Sequence, residues 1–108
     1  MKDPIVVFMT ASSADEARLI AQHLVESSNA ACVQILPEIE STYRWNGEVQ
    51  REKEVLILAK TTAEQFAGLE KAVRAIHSYE TPEIIAVPAS QISEPYRTWL
   101  IQNLSTDG

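Results

Sequence analysis

The side chains with the clearest chemical potential lie together after the second helical segment. His77 is followed at close range by three more polar side chains, Tyr79, Glu80 and Glu83. A histidine beside carboxylates suits a borderline divalent cation such as Zn²⁺ or Cu²⁺. An imidazolium at the end of a helix also favours the helix dipole, which gives His77 a purely structural interpretation. The spacing has no regular ligand pattern such as His-x₃-His, so both interpretations stay open.

Three other side chains, outside this loop, could take part in chemistry. Lys60 ends the apolar strand that leads into the same helix, and we group it with the four residues above as one polar cluster. Cys32 lies in an apolar run without a sequence partner that would activate it, which predicts a buried, inert thiol. His23 falls on the polar side of the first helical segment and is expected at the surface. Because no glycine-rich phosphate loop, Gly-x-Ser-x-Gly elbow or Cys-x-x-Cys pair is present, we do not expect an enzyme.

Composition indicates a globular protein and argues against several kinds of partner. The 108 residues, 45% of them hydrophobic, suffice for a single domain, 1–108. A net charge of −6 without any run of Lys or Arg makes nucleic acid and anionic membrane surfaces poor partners. No apolar run approaches the roughly 20 residues of a membrane span, and no signal-peptide pattern is found. Since the single cysteine cannot form an internal disulfide, we expect a cytoplasmic protein.

The element that must position these residues is a long β-hairpin over residues 31–62. Asn46-Gly47 at its centre is a strong hairpin signal, because a type I′ turn needs φ > 0 at both central residues. Each arm of roughly fifteen residues would extend about 50 Å, which is too long for the helices of a small domain to cover. Pro37 cannot donate to the strand ladder and predicts a β-bulge.

The outer half of this hairpin carries an apolar stripe. Ile39, Tyr43 and Trp45 share one face by the two-residue period of a strand. Isolated two-stranded ribbons are marginal in water, and apolar patches rimmed by charge usually mark contacts. We therefore predict that these residues form an interface with further copies of the chain. A solvated hairpin tip is the alternative.

The remaining segments alternate around the hairpin. Strands are predicted at 5–10 and 83–88, and helices begin at a capping box at 13–16, at Thr61 or Thr62, and at Ser93. The order β-α-β-β-α-β-α predicts an α+β, ferredoxin-like sandwich with a long central hairpin and a C-terminal helix. Two helices would cover one face of an antiparallel sheet, and the bare other face is a second reason to expect an oligomer. Residues 105–108 are expected to fray.

Several motifs together resemble the CutA family of divalent-cation tolerance proteins. They are Ala-Ala-Cys-Val at 30–33, Tyr-Arg-Trp-Asn-Gly at 43–47, Glu-Val at 54–55, Lys-Thr-Thr at 60–62 and His-Ser-Tyr-Glu-Thr-Pro-Glu-Ile-Ile at 77–85, with Tyr96 and Trp99. The resemblance covers nearly the whole chain in order. It implies a ferredoxin-like protomer in a stable homotrimer, with the hairpins packed around the threefold axis as in PII signalling proteins. It also implies a link to tolerance of copper and other divalent ions, with no established enzymatic activity.

The resemblance further implies a copper site, and this sequence departs from it. The ligands proposed in the family include a cysteine at the end of the first strand and adjacent histidines at the end of the second helix. Here these positions are Met9 and the pair Ile76-His77, so only His77 is retained. Methionine is a soft ligand for Cu(I). The expected bound ion is therefore Cu²⁺ or another divalent cation, with His77 and Met9 as the candidate ligands.

Two functions follow as expectations. A third, an enzyme that uses His77 with Glu80 or Glu83 as an acid/base pair, is disfavoured because no activated nucleophile or orienting partner is visible. The first is a cytoplasmic homotrimer associated with the response to divalent metal ions. The alternative is a PII-like regulatory module that binds a small anionic ligand in a cleft between subunits. In that alternative, Lys60 supplies the cation and Tyr79 a stacking or hydrogen-bonding wall, in a cleft that also contains His77, Glu80 and Glu83.

Overall fold

The computed structural model describes residues 2–104, which follow the predicted order of elements. The elements are β1 (Pro4–Ala11), α1 (Ala14–Glu26), β2 (Cys32–Trp45), β3 (Glu48–Thr62), a 3₁₀ turn (Ala63–Gln65), α2 (Phe66–Ile76), β4 (Ile84–Pro88) and α3 (Glu94–Gln102). The fraying expected at 105–108 lies outside the described residues. None of the helices within 2–104 is long and apolar enough to cross a membrane.

The four strands form one antiparallel sheet in the order β2-β3-β1-β4. Strand β1 lies between β3 and β4, where Val7 has Ala59 as its partner on one side and Ala86 on the other. This order confirms the α+β, ferredoxin-like fold that the element order predicts. Strand β4 is an edge strand, as expected from the proline that closes it.

The hydrophobic core lies between one face of the sheet and helices α1 and α2. Its fully buried side chains include Val7, Met9, Ile20, Leu24, Ile57, Leu69 and Val73. Each such side chain contributes about 1.5–3 kcal/mol when it is taken from water into the core. The alternating residues of the same strands point to the other side of the sheet. We call this side the open face; its apolar residues include Val6, Phe8, Leu36, Leu56, Leu58, Ile85 and Val87.

The hairpin of β2 and β3 turns as the sequence predicts. Asn46 and Gly47 have φ angles of 52° and 81°, so both adopt the left-handed geometry that a type I′ turn requires. The register shifts between Leu36 and Ile39, which confirms the bulge expected at Pro37. Because the bulge adds one residue to β2, Leu36 and Ile39 lie on the same side of the sheet despite their odd spacing. The outer stripe of β2 therefore continues the open face.

The helix caps agree with the sequence for α1 and differ for α2. Ser13 Oγ accepts a hydrogen bond from the Glu16 amide at 3.1 Å, which caps α1 as predicted. The predicted Thr61 or Thr62 cap of α2 is wrong, because a 3₁₀ turn comes first and Thr62 makes no side-chain cap. Thr61 faces the interior, where its hydroxyl must find a partner, and it donates to the Asn29 carbonyl at 2.7 Å.

Cys32 is less buried than its apolar neighbours suggest. It is a half-buried free thiol at the start of β2, the edge strand of the sheet, where one side of the strand has no neighbouring strand. Tyr96 of α3 lies against it, and burial followed by this contact with the thiol raises the pKa of Tyr96. Helix α3 follows Ser93, which lies at the N-cap position as expected but makes no side-chain cap hydrogen bond. The helix packs on Ala31 through Leu100 and Leu104. The predicted surface position of His23 is confirmed.

Candidate functional site

A cleft of about 800 Å³ opens between the outer half of the hairpin and the loop that joins α2 to β4. We call it the acidic cleft. It is lined by four glutamates, Glu52, Glu54, Glu80 and Glu83, and by three aromatic residues, Tyr43, Trp45 and Tyr79. The hairpin supplies one wall because the bulge turns its aromatic stripe to this side. Among the described residues, no lysine or arginine lines the cleft.

The carboxylates of the acidic cleft lie close enough to affect one another. Burial raises the pKa of Glu83, and the nearby charge of Glu54 adds to that shift. Tyr79 Oη donates a hydrogen bond to Glu54 Oε2 at 2.8 Å. Burial, followed by this bond to a carboxylate, raises the pKa of the Tyr79 phenol. Tyr43 makes the corresponding hydrogen bond to Glu52 on the outer wall. The cleft therefore combines uncompensated negative charge with aromatic surface.

His77 lies behind the cleft rather than in it. Its side chain is fully buried at the C-terminal end of α2, where Nε2 donates to the Thr10 carbonyl at 2.7 Å. The other ring nitrogen, Nδ1, accepts from the Tyr79 amide at 3.0 Å. With one nitrogen donating and the other accepting, the imidazole is the neutral tautomer that is protonated on Nε2. Both nitrogens are used, so the ring holds the Tyr79 loop against the end of β1.

Glu16 is a site residue that the sequence did not reveal beyond its place in a capping box. Its Oε1 accepts from the Ser12 amide at 3.0 Å and from the Ser12 hydroxyl at 2.9 Å, while Oε2 accepts from the Ser78 amide at 2.7 Å. Burial pushes the pKa of Glu16 upward, but these hydrogen bonds outweigh burial and lower it from 4.5 to about 2. Glu16 Oε2 also lies 3.7 Å from His77 Nδ1.

The structure divides the predicted polar cluster. Tyr79, Glu80 and Glu83 line the acidic cleft, and His77 positions the loop that carries them. Lys60 lies elsewhere on the open face, where Nζ donates to Gln34 Oε1. It is six residues along β3 from Glu54, or about 20 Å at the rise of an antiparallel strand. Within one protomer, Lys60 therefore does not contribute to the cleft.

The residues that the family resemblance suggested as copper ligands do not form a site together. Met9 is fully buried in the core on the helix-covered side of β1, and both nitrogens of His77 already have protein partners. Within residues 2–104, no group of three His, Cys, Asp or Glu side chains is arranged to hold a metal ion. The donor set of a single protomer therefore does not fit a preformed copper centre.

The predicted interface residues are partly accessible in the protomer. Trp45 is 58% exposed and Tyr43 is 38% exposed on the wall of the acidic cleft, while Ile39 is half-buried nearer the bulge. Residues that contact another copy must be accessible in the single chain, and these residues are. The contact itself stays a prediction.

A ferredoxin-like sheet with an oversized hairpin that reaches past its two helices defines the structural class of this protein. Residues 5–103 match the model of the family described as CutA1 divalent ion tolerance protein. The chain belongs to this family, as its motifs indicated.

Individual relatives match most of this chain. The divalent-cation tolerance protein CutA of Thermus thermophilus is 46% identical over 98 residues, which cover 91% of this chain and 95% of that protein. Protein CutA of Mus musculus is 39% identical over 95 residues, and the chain spans only 54% of that longer relative while 88% of the chain is matched. The solved structure of the periplasmic divalent cation tolerance protein CutA from Archaeoglobus fulgidus has a TM-score of 0.92 at 34% identity, covering 94% of this chain and 99% of that one.

Proposed function

We propose that this protein acts in divalent-cation tolerance as a cytoplasmic homotrimer, and that it is not an enzyme. Membership of the CutA1 divalent ion tolerance family is the observation that carries this proposal. The free thiol of Cys32 supports a reducing compartment, because a lone cysteine has no internal disulfide to form. We further propose that, among the divalent cations, the protein responds specifically to copper.

The open face supports self-association. Ile85 is 55% exposed, and Val87 and Leu36 are each 41% exposed on the side of the sheet that α1 and α2 leave uncovered. On the same side of the sheet, Trp45 adds exposed apolar surface on the hairpin, beside the charged residues of the acidic cleft. Apolar surfaces of this kind mark protein contacts, and identical copies are the commonest partners of soluble oligomers.

The acidic cleft supports a weak interaction with divalent cations. Carboxylate oxygens suit hard and borderline cations, and a cation beside Glu83 would offset the charge of Glu54, which adds to the effect of burial in raising the pKa of Glu83. We propose that the cation meets the carboxylates of Glu80 and Glu83, with His77 acting only to position their loop. Because protons compete for the same carboxylates, this interaction is expected to weaken as the pH falls.

Calorimetric titration with Cu²⁺ and Zn²⁺ tests this assignment. All proteins carry His23→Ala, which removes the exposed imidazole on α1 as an unrelated ligand. We expect saturable binding that Glu80→Gln with Glu83→Gln weakens about tenfold, because two of the four cleft charges are lost. The matched control, Glu26→Gln with Glu40→Gln, removes the same charge outside the cleft and is expected to bind as the parent does.

Two results would contradict the cleft assignment. One is unchanged binding in the Glu80/Glu83 variant. The other is binding that only His77→Ala abolishes, which would return the site to the imidazole. The role in tolerance is tested separately by growth under copper challenge of cells that lack the gene, with and without the wild-type protein. Failure of the wild type to restore growth would contradict the cellular role.

The alternative of a PII-like module for a small anionic ligand has less support in the protomer. The cation assigned to it, Lys60, is bonded to Gln34 on the open face and does not line the acidic cleft. Four carboxylates without a counter-cation would repel an anion.

A further inference from the structure

A polar group in the floor of the acidic cleft has no hydrogen-bond partner. Thr10, near the end of β1, lines the cleft and is only 5% exposed. Its carbonyl accepts from His77, but among residues 2–104 nothing bonds to its hydroxyl. Because no fully enclosed side-chain oxygen or nitrogen in this part of the chain is left unpaired, the Thr10 hydroxyl must open into the cleft. A buried hydroxyl without a protein partner indicates a place for a polar group of a ligand.

Two carboxylates flank this hydroxyl. In the register of β1 with β3, Glu54 is the diagonal neighbour of Thr10 on the same face of the sheet, at a distance of about 7–8 Å. On the other side of β1, Glu83 immediately precedes β4, and the register of β4 leads it to a position beside Thr10. Within the described residues, neither carboxylate is paired with a lysine, an arginine or a histidine. The floor of the cleft therefore presents a free hydroxyl between two uncompensated negative charges.

The negative charge of the acidic cleft is spread along it rather than gathered at one point. No group of three His, Cys, Asp or Glu side chains within residues 2–104 is arranged to hold a metal ion, and a cleft of about 800 Å³ is much larger than one ion. The carboxylates are accompanied by the aromatic side chains of Tyr43, Trp45 and Tyr79. Ammonium groups are attracted to carboxylates and to aromatic faces, and methylene groups pack on aromatic rings. Walls of this composition suit an elongated organic cation.

We propose that the acidic cleft binds a linear organic diammonium ion. One primary ammonium group lies in the floor, where its three N–H donors meet the Thr10 hydroxyl and the carboxylates of Glu54 and Glu83. Glu54 Oε2 already accepts from the Tyr79 hydroxyl, so Oε1 takes the ammonium group. The second ammonium group meets Glu52, which lies two residues from Glu54 on β3, about 7 Å away, a span that a short chain of methylenes covers. This ligand does not depend on metal binding or on self-association.

Calorimetric titration of the wild-type protein at low ionic strength tests the ligand class. The probes are 1,4-diaminobutane, butylamine and tetramethylammonium. We expect saturable binding of the diamine, at least about tenfold tighter than that of butylamine, because the second charge of the diamine meets Glu52. Tetramethylammonium carries a charge but has no N–H donor for Thr10, so it is expected to bind more weakly still. A diamine that binds no more tightly than either monocation would overturn the proposal.

Thr10→Val tests the contact in the floor of the cleft. Valine keeps the β-branching of threonine and removes the hydroxyl, so the loss of a hydrogen bond to a charged group is expected to weaken binding of the diamine about tenfold. Binding of tetramethylammonium, which cannot donate to the hydroxyl, is expected to stay the same. Thr62→Val is the matched control, because Thr62 is 2% exposed at the end of β3 remote from the cleft and makes no side-chain cap. If Thr10→Val and Thr62→Val bind the diamine equally, the proposed contact is wrong.

Glu54→Gln with Glu83→Gln tests the two carboxylates. Glutamine keeps the size of each side chain and removes both charges from the floor, which is expected to weaken binding of the diamine at least about tenfold. Glu26→Gln with Glu40→Gln removes the same charge outside the cleft and is expected to bind the diamine as the wild type does. Equal weakening in the two double variants would contradict a specific site, because the diamine would then respond only to net charge.

Titration with Zn²⁺ separates this inference from the metal site proposed above. Thr10→Val is expected to leave Zn²⁺ binding unchanged, because the proposed metal contacts are Glu80 and Glu83. If Zn²⁺ binds and the diamine does not, only the organic ligand is excluded. If the diamine binds and Zn²⁺ does not, the metal site fails and the organic ligand stands. Should circular dichroism show that a variant has unfolded, the comparison of the three probes on the wild-type protein decides.

Discussion

At the scale of single residues, the acidic cleft depends on side chains that never enter it. His77 joins the carbonyl of Thr10 to the amide of Tyr79, and Glu16 joins Ser12 to Ser78. These bonds fix the loop that carries Tyr79 toward Glu54. A histidine and a glutamate that could be taken for metal ligands or catalytic groups instead determine where the cleft wall lies.

Glu16 should make the stability of the protein depend on acid pH. Its pKa is lowered from 4.5 to about 2 in the folded protein, so between these values the unfolded chain binds more protons than the native one. The stabilisation is therefore present above pH 4.5 and is lost as the pH falls toward 2. Glu16→Gln is expected to lower the free energy of unfolding by about 2 kcal/mol at pH 7 and by progressively less in acid.

Urea unfolding across this pH range, at fixed protomer concentration, measures the difference between wild type and Glu16→Gln. Asp15→Asn is the matched control, since that carboxylate lies in the same helical turn, is 97% exposed and pairs only with Arg18. A gap between wild type and Glu16→Gln that stays constant from pH 7 to pH 2 would contradict the assigned hydrogen bonds.

At the scale of elements, the hairpin is specified by two local features. The Asn46-Gly47 turn fixes which residues pair, and the bulge between Leu36 and Ile39 decides which side of the sheet the outer stripe faces. Because β3 has no matching extra residue, the pairing register shifts by one residue at the bulge. The position of the cleft wall follows from this pairing.

The hairpin turn is expected to tolerate glycine at 46 and to reject alanine at 47. A Cβ at position 47 would meet nothing within 4 Å, so the cost of Gly47→Ala comes from its φ of +81° alone. We expect a loss of about 1 kcal/mol for a non-glycine residue there and almost none for Asn46→Gly, which keeps the turn geometry. Amide hydrogen exchange at the tip measures the effect, and equal exchange in the two variants would contradict it.

At the scale of the whole molecule, the protomer is elongated and exposes apolar surface. Its principal extents are 46 × 27 × 22 Å, because the hairpin runs beyond the two helices that cover the sheet. The open face and the hairpin tip remain uncovered together. An assembly that shelters both would bury the exposed apolar side chains without any change in the fold of the protomer.

Ile85→Asp tests this role of the open face. The residue is 55% exposed in the protomer, so an aspartate is expected to leave the fold intact while it weakens assembly about 100-fold by placing a charge in an apolar contact. Leu19→Asp is the control, because Leu19 is 60% exposed on α1, away from the open face. Sedimentation velocity measures assembly, and circular dichroism measures whether the fold is intact. Equal assembly of both variants would place the interface elsewhere.

Local features of the sequence account for the element order, the type I′ turn, the bulge at Pro37 and the cap at Ser13. It also contained the motifs that placed the chain in its family. Each of these features depends on residues a few positions apart, whose backbone preferences and side-chain period act locally. The ferredoxin-like order then followed, because few topologies satisfy the connection rules for such a series of elements.

Which polar residues meet depends instead on tertiary packing. The bond of His77 to Thr10 spans 67 residues and that of Ser78 to Glu16 spans 62, so no local pattern encodes either one. Lys60 precedes α2 in the chain and Tyr79 follows it. They lie in different parts of the molecule, because Lys60 is on the part of β3 that is remote from the cleft. Distances between elements are set by how their buried faces pack. The one extra residue at the bulge determines on which side of the sheet the aromatic stripe, and therefore the cleft, lies.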